Sequence, residues 1–150
     1  MNRIWKPNVT VAALIEREGH FLLVEEETED GLRFNQPAGH LDEGESLVAA
    51  CAREALEETA WRFTPTALVG IYQWPRPQGD ITYLRFAFSG ELGEHDAGRT
   101  LDAGIQRAVW MTADEIRANA ERHRSPLVWQ CVTDYLAGRR FSLELLRHYD

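Results

Sequence analysis

Lysine is almost absent from this chain. Lys6 is the only one among 16 basic residues, the rest being scattered arginines, and 24 acidic residues bring the net charge to −8. A long polyanion is held by clustered cations that displace its counterions, so this composition argues against nucleic-acid binding. Cysteine is scarce as well. Cys51 and Cys131 fall at apolar positions of expected helices without metal-type spacing, which points to two buried thiols and away from a disulfide framework or a zinc site. Apolar runs are short: those at residues 11–15 and 21–24, like the rest, fall far below a membrane span. The opening MNRIWKPNVT lacks the apolar core and small-residue cleavage site of a secretory leader, so a cytoplasmic location is expected. No Pro/Gly/Ser-rich linker, internal repeat or low-complexity segment interrupts the chain. Its 150 residues, 44% of them apolar, suffice for one domain with its own core.

What the chain does contain is concentrated between Gly39 and Trp61, GHLDEGESLVAACAREALEETAW. A helix over residues 46–59 places Glu54, Glu57 and Glu58 at i, i+3, i+4, on one face. Val48, Cys51, Ala52, Ala55, Leu56 and Thr59 fill an adjoining apolar arc fit for burial against a sheet. Three like charges at this spacing repel. Either they form a solvated acidic face or a cation compensates them, and hard carboxylate oxygens favour Mg²⁺, with Mn²⁺ as the second choice.

The order Gly39, five residues, Glu45, seven residues, then Arg53, Glu54, Glu57 and Glu58 resembles the Nudix box. The resemblance implies an α/β/α sandwich with a mixed sheet and a loop-helix-loop that binds divalent cations bridging a substrate's phosphates. It implies that Glu54, Glu57 and Glu58 hold the metal with the Gly39 carbonyl, over an orienting pair formed by Glu45 and Arg53. It also makes Glu57 or Glu54 the base that takes a proton from the attacking water. The family's glycine after the glutamate pair is Ala60 here, so a left-handed helix exit would cost roughly 1 kcal/mol.

Outside the box, PNVTVA (7–12), VEE (24–26), NQPAGHL (35–41), QW (73–74), LRF (84–86) and RSPLV (124–128) resemble bacterial phosphatase members of the same family. That likeness implies release of phosphate from nucleoside tri- and diphosphates and from hydroxymethylpyrimidine pyrophosphate. Two other readings stay open: an ADP-ribose or dinucleotide-polyphosphate pyrophosphatase, and a Nudix-like nucleotide sensor without turnover. The partner is a small pyrophosphate-bearing molecule, with neither nucleic acid nor membrane, and the chain is expected as a monomer or homodimer.

The remaining pattern supplies candidates for the rest of a site. Strands are expected over residues 9–17, 21–27, 67–74, 81–92 and 105–111, with an extended piece at 34–39 and polar loops at 75–80 and 93–104. Glu25, Glu26 and Glu27 read as the polar end of a strand and the loop behind it. Thr112 to Glu115 resembles a capping box, and Pro126 opens a second helix ending near Gly138. A flat ring gains from an aromatic platform, for which Trp74 is the first candidate, with Phe34 and Tyr72 behind it. Gln36 or Gln73 fits a ring edge and Arg85 a phosphate. Asp102 is the candidate for a further acidic ligand, in competition with Asp96 and Glu94. His40 and His95 are set aside as second-shell or surface residues.

Overall fold

A computed structural model describes residues 3–150. Met1 and Asn2, the start of the segment read for a leader, lie outside the described residues. Eight strands form two four-stranded sheets. The first has the order β5 (Ala38–His40), β1 (Asn8–Leu14), β7 (Thr82–His95), β6 (Trp61–Pro75). It is mixed, because β1 and β7 run parallel while β1–β5 and β6–β7 are antiparallel. In the second, β3 (His20–Thr28) is central, with β8 (Ile105–Thr112) along one side and β2 (Glu16–Arg17) and β4 (Gly31–Asn35) along the other.

The expected strand over residues 9–17 is divided between the sheets. Thr10 to Ile15 are buried without alternation, because β1 is covered on both faces. Past Ile15 the chain emerges as the exposed hairpin of β2 and β3. Glu18 and Gly19 turn that hairpin with φ of 52° and 78°. The second link between sheets is residues 36–37, where Pro37 accepts the Ala13 N–H at 2.9 Å.

Two apolar clusters sandwich this middle layer. On one side Val11, Ala13, Phe63, Leu68 and Phe88 pack with Ala50, Cys51 and Ala55 of α1 (Leu47–Thr59). On the other, Ala12, Leu14, Phe21, Leu23 and Ala87 pack with Val128, Cys131 and Val132 of α3 (Leu127–Leu136) and with Ile116 of α2 (Ala113–Ala118). This is the α/β/α sandwich with mixed sheet. Both cysteines are free and buried. Among the described residues no helix is long and apolar enough to cross a membrane.

Two strands outrun their expected limits. β6 starts at Trp61 instead of Ala67, since Pro65 sits beside a register shift on an edge strand, where a missing N–H disrupts no central ladder. β7 extends through His95, which shortens the polar loop to residues 96–104. The capping box at Thr112 is present in both directions, and Pro126 stands just before α3. The tail pairs Phe141 with Leu68 in an isolated bridge.

Candidate active site

α1 begins at Ser46, whose hydroxyl accepts the Ala49 N–H. Its small residues Ala50, Cys51 and Ala55 let the helix sit close on β1, and this brings the next face against β5. Glu54 lies on Gly39 so closely that a Cβ there would meet the Glu54 carboxyl carbon at 2.2 Å. Any side chain at position 39 would push the Glu54 carboxylate from its place. Glu58 Oε1 accepts the Ala38 N–H at 2.9 Å. Glu57, on the outer edge, stays partly exposed.

Arg53 organises these carboxylates from below. It donates to both oxygens of Glu45, from Nε at 3.0 Å and from Nη2 at 2.6 Å. Its Nη1 reaches Glu54 Oε1 at 2.8 Å and Glu57 Oε1 at 2.9 Å, and Nη2 also donates to the His40 carbonyl at 3.1 Å. The guanidinium holds the Glu45 carboxyl below its ordinary value. Glu54 shifts upward, because burial outweighs its bond to Arg53. Burial pushes Glu58 up to about 9 against the opposing Ala38 N–H.

Asp102 joins from the loop after β7. Its N–H donates to the Glu57 carbonyl at 3.0 Å, which ties the loop to the last turn of α1. The carboxylates of Glu54, Glu57 and Asp102 offer one oxygen each within 4.8 Å of one another. Desolvation and the neighbouring Glu57 raise the Asp102 carboxyl. Asp96 donates its N–H to Ala60 O at 2.7 Å and anchors the other end of this loop. A cluster of hard carboxylate oxygens brought this close fits a hard divalent cation. Glu58 stands apart from that trio, on Ala38. Ala60 ends the helix in the left-handed conformation, φ 64° and ψ 11°, so the exit normally made by glycine is kept.

Glu54 of this trio lines a cleft of about 1320 Å³, together with Glu58, Gly39, Trp74, Tyr83 and Arg85 among others. Trp74 and Tyr83 are cross-strand partners with nearly parallel rings, 15° apart in plane and 6.1 Å between centroids. Arg85, expected on a strand face, is buried in the floor and donates to Gln36 Oε1 and Asn35 Oδ1, each at 2.9 Å.

Four expected ring contacts, Phe34, Gln36, Tyr72 and Gln73, are not in the lining. Phe34 is 3% exposed and carries the Arg122 guanidinium 4.4 Å above its ring, so it belongs to the wall behind the cleft. Gln36 is 1% exposed and spends its amide on Arg85 and on the Val128 carbonyl at 2.8 Å. Tyr72 turns its hydroxyl to Asp134 at 2.7 Å, and Gln73 is exposed outside the cleft.

The glutamate run 25–27 needs correction, because it stays within β3. Glu25 is buried, paired with Arg107 at 3.0 Å and with Arg122, which hold its carboxyl below the ordinary carboxylate pKa. Glu26 faces the cleft beside Arg124. Period-two alternation across three glutamates placed them on opposite faces, and that signal was available in the sequence. Tyr83, Asn35 and Arg124 also line the cleft; their positions depend on cross-strand register and on the link from α2 to α3.

Comparison with known proteins agrees with this geometry. The profile of the NUDIX domain matches residues 5–130. The phosphatase NudJ of Escherichia coli strain K12 is 39% identical over 147 residues, covering 98% of this chain and 95% of that protein. A NUDIX hydrolase from Nitrosomonas europaea superposes with a TM-score of 0.93 at 53% identity, covering 96% of this chain and 98% of that one. A UDP-X diphosphatase structure shares the fold alone, with a TM-score of 0.74 at 20% identity over 94% of this chain and 68% of that one. The chain therefore belongs to the NUDIX family and is a hydrolase of phosphoric anhydride bonds.

Proposed function

We propose that this hydrolase is a Mg²⁺-dependent phosphatase that releases phosphate from the end of nucleoside tri- and diphosphates and from hydroxymethylpyrimidine pyrophosphate, with Mn²⁺ able to substitute. The observation that carries the reading is the trio Glu54, Glu57 and Asp102, within 4.8 Å of one another, with Glu54 in the lining of a cleft that also holds Trp74 and Tyr83. Near full-length similarity to the phosphatase NudJ supports the choice of terminal over internal cleavage.

Glu54, Glu57 and Asp102 would hold the cation, with Glu58 and the Gly39 carbonyl as further ligands. The ion would neutralise phosphate oxygens and make a water more acidic. Arg53, locked by Glu45, fixes the Glu54 and Glu57 carboxylates in place. Glu57 or Glu54 takes the proton from water as its oxygen bonds to the terminal phosphorus and the bond to the bridging oxygen breaks. Phosphate leaves, and the organic group keeps the shorter chain. Trp74 stacks the ring and Arg85 contacts phosphate. The whole chain acts as one catalytic domain in the cytoplasm, as monomer or homodimer, without nucleic acid or membrane.

The test is product analysis with Mg²⁺, with and without chelator, across nucleoside di- and triphosphates, hydroxymethylpyrimidine pyrophosphate, ADP-ribose and dinucleotide polyphosphates. Metal-dependent release of terminal phosphate is expected. Cleavage of ADP-ribose or dinucleotide polyphosphates alone would replace the phosphatase with an internal pyrophosphatase.

A further inference from the structure

Arg85 is 5% exposed and is the only basic side chain in the buried set among the described residues. Its acceptors are all neutral: Gln36 Oε1, Asn35 Oδ1 and, at 3.7 Å, the Cys131 sulfur. The nearby Asp134 is engaged by Tyr72, Gln130 and Arg139. A buried cation without a counter-charge opposes folding. Asp for Asn35 or Glu for Gln36 has nearly the same shape and carries the missing charge, at the cost of the amide donor now given to Glu26 or to the Val128 carbonyl. The two amides orient the guanidinium and leave its charge free.

A guanidinium has five N–H donors. Two on Nη1 and one on Nη2 are committed, so the Nε–H and one Nη2–H have no protein acceptor among the described residues. No buried side-chain nitrogen or oxygen among the described residues lacks a partner, so the unpaired Nε is not sealed in and opens onto the cleft that Arg85 lines.

The register gives their place. Thr10 pairs with His40 on one side and with Arg85 on the other. With strands about 4.8 Å apart, the Arg85 backbone stands roughly 10 Å from His40, next to the glycine under Glu54. The Trp74–Tyr83 pair lies one side-chain repeat further along the same floor, roughly 7 Å away. A molecule with its terminal phosphate at the carboxylates and its ring on Trp74 carries its remaining phosphate past Arg85.

We infer that Arg85, oriented by Asn35 and Gln36, is the subsite for the phosphate that stays on the organic product, so that organic monophosphates bind here as product inhibitors. This rests on the phosphatase reading above for the direction in which substrate lies. Planar guanidinium donors suit phosphate oxygens, and the bound phosphate supplies the counter-charge that the fold omits.

The test is calorimetric titration and inhibition with Mg²⁺. The probes are the monophosphate product of the best substrate in the panel, or adenosine monophosphate if none is turned over, each against its dephosphorylated nucleoside or alcohol. The parent is expected to bind the monophosphate at least tenfold more tightly than the dephosphorylated compound. Arg85→Gln should erase that preference and raise KM at least tenfold, with a smaller change in kcat. Gln36→Glu, which does not touch the cleft and gives Arg85 an internal counter-charge, should weaken monophosphate binding in the same way, and it decides the matter if Arg85→Gln fails to fold. Unchanged monophosphate affinity in the folded variants overturns the subsite, as does an equal loss for both probes, which would make Arg85 a reader of the ring edge. If the parent turns over nothing yet binds the monophosphate through Arg85, the phosphatase reading falls and the subsite stands.

Discussion

Two arginines near this cleft are treated in opposite ways. Arg53 lies within ion-pair distance of four carboxylates, those of Asp42, Glu45, Glu54 and Glu57. Arg85 meets only amide oxygens and a thiol. A saturated guanidinium is a brace: its charge is used in fixing its neighbours, and little attraction is left for a ligand. An unsaturated one is a receptor. The carboxylates above Arg53 still exceed its single positive charge, which leaves that end of the cleft fit for a divalent cation, while the Arg85 end is fit for an anion. Together the two ends match a metal-complexed phosphate chain better than either a bare cation or a bare anion.

The largest effect is expected at the braced end. Glu57→Gln keeps shape and removes a ligand charge or the base, and should lower kcat by roughly 10² to 10⁴-fold. Thermal denaturation should be nearly unchanged, since Arg53 keeps three other carboxylates. Activity equal to the parent's would take Glu57 out of the mechanism.

Glu25→Gln comes next, because it converts a second brace into something like Arg85. Arg107 and Arg122 would both lose their buried partner, at a cost of about 1–3 kcal/mol in denaturant unfolding at neutral pH, since both guanidinium groups are partly exposed and water replaces the carboxylate. Two arginine hydrogen bonds hold the folded Glu25 pKa below its reference of 4.5. Its stabilisation is therefore complete above that reference and is lost as pH falls through the depressed folded value. The parent should lose stability along that acid limb, and the variant should show a flatter one. Parallel limbs would mean that Glu25 does not carry the acid sensitivity.

Trp74→Ala addresses the receptor end. Base stacking is worth about 1–3 kcal/mol, so KM for ring-bearing substrates should rise about tenfold. Inorganic pyrophosphate has no ring and should be unaffected. Equal changes for both would remove the stacking role. The smallest effect belongs to Ala60→Gly, which relieves a left-handed alanine, φ 64°, but deletes a buried methyl. A net gain below about 1 kcal/mol in unfolding is expected, with kcat within a factor of two. A marked rise in kcat would show that helix-exit strain reaches the carboxylates.

The box helix was legible because its information is local. Spacing along one helix decides which carboxylates share a face, and Ser46 caps it where the pattern places the start. The Thr112 capping box was legible for the same reason. Burial of Arg85, Gln36 and Phe34 was not, since it depends on α3 covering the far face of β7 and on the 3-10 turn at Ala120–Arg122 closing over β4. Neither event leaves a mark within a few residues of the affected side chains. Glu25 lies between these cases: alternation separated it from Glu26, but its partners stand 82 and 97 residues away along the chain.

The crossings at Ile15 and at residues 36–37 bear on motion. Besides the longer loop 96–104 from β7 to β8, the sheets are sewn together by these two short covalent links, one a single buried residue and the other containing a proline. Sheets joined in this way cannot slide or part without breaking β1 from its neighbours, so the width at the base of the cleft is set when the chain folds. Any adjustment to a larger or smaller guest falls to the outer rim, where the turn over residues 75–80 carries Arg76, Pro77 and Gln78 above the aromatic pair. The width at the base is thus fixed by the backbone, and tolerance for different organic groups resides in the exposed turns at the rim, residues 75–80 and the β3–β4 turn at Glu29 and Asp30.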